Sequence, residues 1–191
     1  KAIKIDPNYA IAYYRMALVY DIKGNYDKAI EFYEKTIEIN PNFADAYYNM
    51  GVNYSKKGNN DKALEFSQKA IEIDPNHASA YCNMGVSYLR KGNNDKAIKF
   101  YQKAIEIDPN DAIAYYGMGD VYLNKGNYGK AIEFYQKSIA IEPNNAEAYY
   151  RAGACYGKKG NHDKAIEYIQ KAARLGLKDA QDILKKSNNS W

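Results

Sequence analysis

The chain has 191 residues, with 27 Lys and Arg against 23 Asp and Glu, and a formal charge of +4 is too small and too interspersed to argue for nucleic acid by itself. Only 26% of the residues are charged, which speaks against disorder, and no run approaches the roughly eighteen consecutive apolar residues of a membrane-spanning helix. Twenty-one Tyr against five Phe and one Trp mean that most large side chains carry a hydroxyl needing water or a partner.

The prolines reveal the organisation. They fall at Pro7, Pro41, Pro75, Pro109 and Pro143, 34 residues apart, and each is followed by Asn. With Pro taken as position 32, residues 1–9 read as the end of a truncated preceding repeat, because Lys1–Asn8 follows the pattern of Lys69–Asn76. That reading implies a piece of a longer protein, and it leaves localisation open. Five helix–turn–helix units follow, at 10–43, 44–77, 78–111, 112–145 and 146–179. In each, the first helix carries Ala at position 3, Tyr at positions 4 and 11, and a small residue at position 8: Ala17, Gly51, Gly85, Gly119 and Gly153. A Gly-Asn pair, from Gly24-Asn25 to Gly160-Asn161, supplies the left-handed residue that ends a helix. The second helix has Ala at position 20, so two small residues per unit predict a close helix approach. Pro-Asn then stops that helix and is expected to offer a cap to the next one, as in Asp74-Pro75-Asn76. After Leu175-Gly176-Leu177, Lys178–Lys186 predicts one short amphipathic helix, which makes 180–191 a capping helix and tail.

Units such as Tyr81-Cys82-Asn83-Met84-Gly85-Val86-Ser87-Tyr88, with Ala97, Tyr101 and Pro109, resemble the tetratricopeptide repeat, Trp-x2-Leu-Gly-x2-Tyr then Ala-x3-Phe then Pro in 34 residues. Tyr stands for Trp, Met for Leu and Tyr for Phe. Departures are Ala17 for the first Gly, Ser67 and Ile169 for the aromatic at position 24, and Leu177 for Pro. The resemblance implies an all-α, right-handed superhelical solenoid whose concave groove is lined by the first helices. It also implies a non-enzymatic protein–protein interaction scaffold that binds a peptide or helix of a partner there. The alternatives are a substrate-recruiting arm of a larger enzyme and a self-assembling homo-oligomer joined through the N-terminal end.

The 3.6-residue period places positions 3, 4, 7, 8 and 11 inside and leaves 2, 5, 6, 9, 12 and 13 for a partner. Carried onto this sequence, the groove residues are Tyr14, Arg15 and Leu18; Tyr48, Asn49 and Val52; Cys82, Asn83 and Val86; Tyr116 and Asp120; and Tyr150 and Arg151. Tyrosines offer contact area at low entropic cost, and Asn pairs with the backbone of an extended peptide. Arg15 and Arg151 are candidates to anchor a ligand carboxylate or phosphate. The competing reading has these tyrosines packing on the next unit. The Lys and Asn set with which one subfamily holds the C-terminal carboxylate of heat-shock chaperones is not present beyond Asn49 and Asn83.

No phosphate-binding Gly loop and no Cys and His at ligand spacing occur, so no cofactor or metal is expected. His77 and His162 lie in linker and turn positions and neither suits a general base. Cys82 and Cys155 are two units apart, too far for a disulfide, and suit a reducing compartment as small apolar residues. Asn53-Tyr-Ser55 and Asn188-Asn-Ser190 match the glycosylation triplet without indicating secretion. Lysines at position 14 (Lys23, Lys57, Lys91, Lys125, Lys159) and position 19 form a basic edge. Beside Asp27, Asp61, Asp95 and Asp163 it reads as a solvated edge rather than a nucleic-acid track.

Overall fold

The computed structural model describes residues 9–188. The expectations for Lys1–Asn8 and for the tail beyond Asn188 lie outside the described residues. Eleven helices are present among them, in two compact units divided between Ile107 and Asp108. The first unit holds α1 (Ala10–Ile22), α2 (Tyr26–Ile39), α3 (Ala44–Lys56), α4 (Asn60–Ile73), α5 (Ala78–Arg90) and α6 (Asn94–Ile107). Each odd helix pairs with the even helix that follows it, while α2 also packs on α3 and α4 on α5. The second unit holds α7 (Ala112–Asn124), α8 (Tyr128–Ile141), α9 (Ala146–Lys158), α10 (His162–Arg174) and α11 (Lys178–Asn188). There α7 pairs with α8 and α9 with α10, α8 packs on α9, and α11 lies on α10 with Ala180 sealed beneath it.

Local chemistry sets these boundaries. Gly24, Gly58, Gly92, Gly126 and Gly160 take φ between 71° and 80°, a region open to Gly at no steric cost. The Asn after each accepts a hydrogen bond from the third residue of the next helix, as Asn59 Oδ1 does from Lys62 N at 3.1 Å. The first helices are capped differently from the expectation. The residue before Pro folds the turn, with Asp74 Oδ1 accepting from Asn76 N, and the cap falls one residue beyond Pro-Asn. His77 Nδ1, Asp111 Oδ1 and Asn145 Oδ1 accept from Ala80, Ala114 and Ala148, whereas Tyr9 and Phe43 have no acceptor for this role and provide no side-chain cap.

Packing within a pair explains the small residues. A Cβ on Gly85 would stand 2.6 Å from the Tyr101 ring, and one on Gly119 would stand 2.5 Å from Tyr135, so the second-helix tyrosine occupies the space the glycine leaves. The same face holds a repeated aromatic stack. Tyr20 on Phe32, Tyr54 on Phe66, Tyr88 on Phe100 and Tyr122 on Phe134 all lie 5.3 Å apart and nearly parallel. Position 10, which the helical period assigned to neither face, is fully sealed at Asn53, Ser87, Val121 and Cys155. On α1 the counterpart Val19 is 45% exposed, with Met16 at 36%.

Candidate functional site

The first-helix faces carry the candidate residues, and the two units use them differently. In the first unit Tyr14 is half-buried, stacks on Phe43 at 4.7 Å, and its hydroxyl accepts from Asn49 Nδ2 at 3.0 Å. Burial, and then the charge of Asp45, raise its pKa. Tyr48 lies 4.9 Å from the His77 ring, and His77 Nε2 meets Asp45 at 3.2 Å while Nδ1 caps α5. His77 therefore ties two repeats together as a structural residue. Both position-5 tyrosines thus pack against the linker residue that closes their own repeat, yet each keeps an accessible edge. Arg15 is exposed, and Leu18, Asn49, Val52 and Val86 are half-exposed.

Two expected groove residues of the first unit turn inward. Asn83 is 8% exposed and donates to Ser67 Oγ at 2.8 Å. The reason is the departure at position 24: Ser67 stands where Tyr33, Tyr101 and Tyr135 fill the space against the first helix, and the Asn83 amide fills it instead. Cys82 is also buried, at 5%. Of the three candidate residues on α5, Val86 is the one that stays partly open.

The second unit brings its candidates together as an ionic network. Asp120 Oδ1 accepts from the buried Tyr135 hydroxyl at 2.7 Å, and Arg151 Nη1 stands 4.0 Å from the same oxygen. Arg151 Nε donates to Glu147 Oε1 at 3.1 Å. Burial raises the Asp120 carboxyl, with the Tyr135 hydrogen bond and Arg151 acting against it. Burial, then the Asp120 charge, push Tyr116 up to about 12 and raise Tyr135 also. Burial likewise pushes the Cys155 thiol up to about 11, leaving a fully sealed and unreactive side chain. For Arg151 burial lowers the pKa, and Tyr116, Asp120 and Glu147 outweigh it, so its charge is locked on. The sequence reading offered Arg151 to a ligand anion; the structure hydrogen-bonds it to Glu147 and sets it 4.0 Å from Asp120. Tyr150 is half-exposed beside it.

Much of the basic edge is engaged within the repeats. Position-19 lysines Lys28, Lys62, Lys96, Lys130 and Lys164 stand 4.8–5.3 Å from the tyrosine ring of their own repeat. Lys57 pairs with Asp27 and Lys91 with Asp61 of the preceding repeat, forming rungs between neighbours. Sequence reasoning missed the rungs because their partners are 30 residues apart. Among the described residues no three of His, Cys, Asp and Glu converge on a metal position, and no helix is long and apolar enough to cross a membrane.

Repeated helix pairs with this Ala, Gly and Tyr pattern define a helical-repeat protein. Family models described as tetratricopeptide repeat match residues 10–43, 42–110, 76–144 and 110–178, and the chain belongs to that family. Among solved structures it is similar to MamA, with 33% identity over 86% of this chain and 96% of that one and a TM-score of 0.71. YrrB, described as a TPR protein with an unusual peptide-binding site, is 27% identical over 97% of this chain and 96% of that one, with a TM-score of 0.67. PilF of Pseudomonas aeruginosa, at 20% identity, covers 94% of this chain and 86% of its own with a TM-score of 0.82, a likeness of fold alone. Comparison with curated proteins gives no match.

Proposed function

We propose that this chain is a non-enzymatic protein-interaction scaffold whose first-helix faces bind a peptide segment or helix of a partner. The observation that carries this reading is on α3. It is packed against α2, α4 and α5, yet Tyr48, Asn49 and Val52 remain partly open on one side of it. Such a surface is held by helices on either flank, so little ordering is needed on binding. The similarity to YrrB, a protein described as having a peptide-binding site, supports the same reading. The test is affinity capture with the parent chain beside a Tyr48→Ala/Val52→Ser variant of equal helical circular dichroism. The captured protein is then purified and titrated directly. Binding reduced tenfold or more in the variant supports the face; equal binding by both refutes it.

A second reading, self-association through α1, has its own observation. Ile11, Met16, Val19 and Ile22 are 36–87% exposed, whereas Met50 and Asn53, the counterparts of Met16 and Val19 on α3, are sealed. Sedimentation at two concentrations distinguishes it: a monomer at both removes this reading.

A further inference from the structure

The network on α7 and α9 carries a partner preference that rests on the scaffold reading above. Its charged members are Asp120, Glu147 and Arg151, two carboxylates to one guanidinium. The guanidinium is hydrogen-bonded to Glu147, and its nearest approach to Asp120 is 4.0 Å, beyond hydrogen-bond reach. Asp120 thus receives one neutral hydrogen bond, from Tyr135, and only a distant cation. Its side chain keeps 22% of its surface open and that of Glu147 keeps 42%, so both remain accessible from outside.

The surroundings suit a long cationic side chain. Ile113 is 61% exposed on α7 and offers apolar surface to a methylene stem, as lysine and arginine stems require. An incoming anion would meet two carboxylates around an arginine already hydrogen-bonded to one of them. An incoming cation meets the one unbalanced negative charge.

We propose that the first-helix face of the second unit recognises a lysine or arginine side chain of a peptide partner, held by Asp120 and Glu147 with its stem on Ile113. Charge complementarity selects this occupant over an acidic segment. The polarity is opposite to the one suggested by Arg151 read alone.

The test uses a random twelve-residue phage-displayed peptide library panned on the whole chain. Peptides carrying Lys or Arg at a common position are expected. A selected peptide should bind at least tenfold more weakly to Asp120→Asn/Glu147→Gln, and its own Lys→Gln form should lose as much on the parent chain. Asp120→Asn retains an acceptor for Tyr135, and Glu147→Gln alone, at a partly exposed position, provides a second variant whose folding is not at issue. Selected peptides without a basic residue, or with equal affinity for parent and variants, overturn the cation assignment and leave the scaffold reading standing. Recovery of no binding peptide at all overturns both.

Discussion

The rungs between repeats yield a prediction from a single missing carboxylate. Asp27 and Asp61 meet Lys57 and Lys91, but the corresponding position in the fourth repeat is Gly129, and Lys159 opposite it lacks that rung. A Cβ at Gly129 would stand 3.7 Å from Lys159 Nζ and 3.7 Å from Asn127 Oδ1, which is ordinary contact, so the first carbon of an aspartate is accommodated beside Lys159. Gly129 is the second residue of α8, whose first turn has no acidic residue while those of α2, α4, α6 and α10 each have one. Replacing Gly in a helix gains about 0.3 kcal/mol with Asp as the substitute. A carboxylate near the N-terminus adds roughly 0.3–1 kcal/mol, and an exposed ion pair roughly 0.2–1 kcal/mol. The sum is about 1–2 kcal/mol, or on the order of 2–8 °C in melting temperature for a chain of this size. Thermal melts of parent, Gly129→Asp, Lys159→Ala and the double variant separate the parts. Raising the salt to about 1 M should remove the pair contribution and leave the propensity gain. A gain equally large in the Lys159→Ala background would refute the rung; no gain in either background would refute the placement of the side chain.

Two further predictions concern the second unit's carboxylate and the first unit's core. Burial raises the Asp120 pKa, so the folded chain holds that proton to higher pH than the unfolded chain. Stability therefore falls as pH rises from the ordinary carboxylate value, about 3.9, through the folded value, and the loss is absent below that interval. Asp120→Asn abolishes this contribution, so urea midpoints of the variant should decline less across the interval; parallel curves would exclude it. Ala97 is fully buried on α6, and its counterpart Ala63 presents its carbonyl 3.1 Å from where a Cβ on Gly51 would lie. Ala97→Leu should cost about 1–3 kcal/mol by overpacking, and an unchanged urea midpoint would refute that packing.

What was legible in the sequence is what the chain decides locally or repeats in register. The prolines, the Gly-Asn turns and the Ala positions each act within one repeat, so 34-residue spacing exposed them together. The cap after Pro-Asn was misplaced by one residue because His77, Asp111 and Asn145 differ in type and share only a role. Burial at Asn53 and Ser87 was not legible, since a polar residue on a helix gives no sign of the neighbour that covers it. The direction taken by Asn83 was equally hidden. Asn49 and Asn83 occupy the same repeat position; one bonds Tyr14 in the preceding repeat, and the other bonds Ser67 there. The Ser at position 24, sixteen residues away, gives Asn83 the inward partner that Tyr33 does not offer Asn49.

That contrast indicates where specificity resides in a chain of near-copies. Residues on which the repeats agree, the Ala, Gly and Tyr of the pair interface, are consumed by packing, and their side chains are sealed or stacked. Residues on which they disagree alter the exposed face without altering the frame. Ser67 draws an amide off the first unit's surface, while Gly117, Asp120 and Arg151 replace an apolar face by an ionic one in the second. In the first unit the position-9 residues Leu18, Val52 and Val86 are all apolar and half-exposed, and in the second that position is Asp120 and the exposed, small Ala154. The first-helix faces of the two units thus differ in chemistry, with half-exposed apolar residues at Leu18, Val52 and Val86 in one and the Asp120, Glu147 and Arg151 charges in the other.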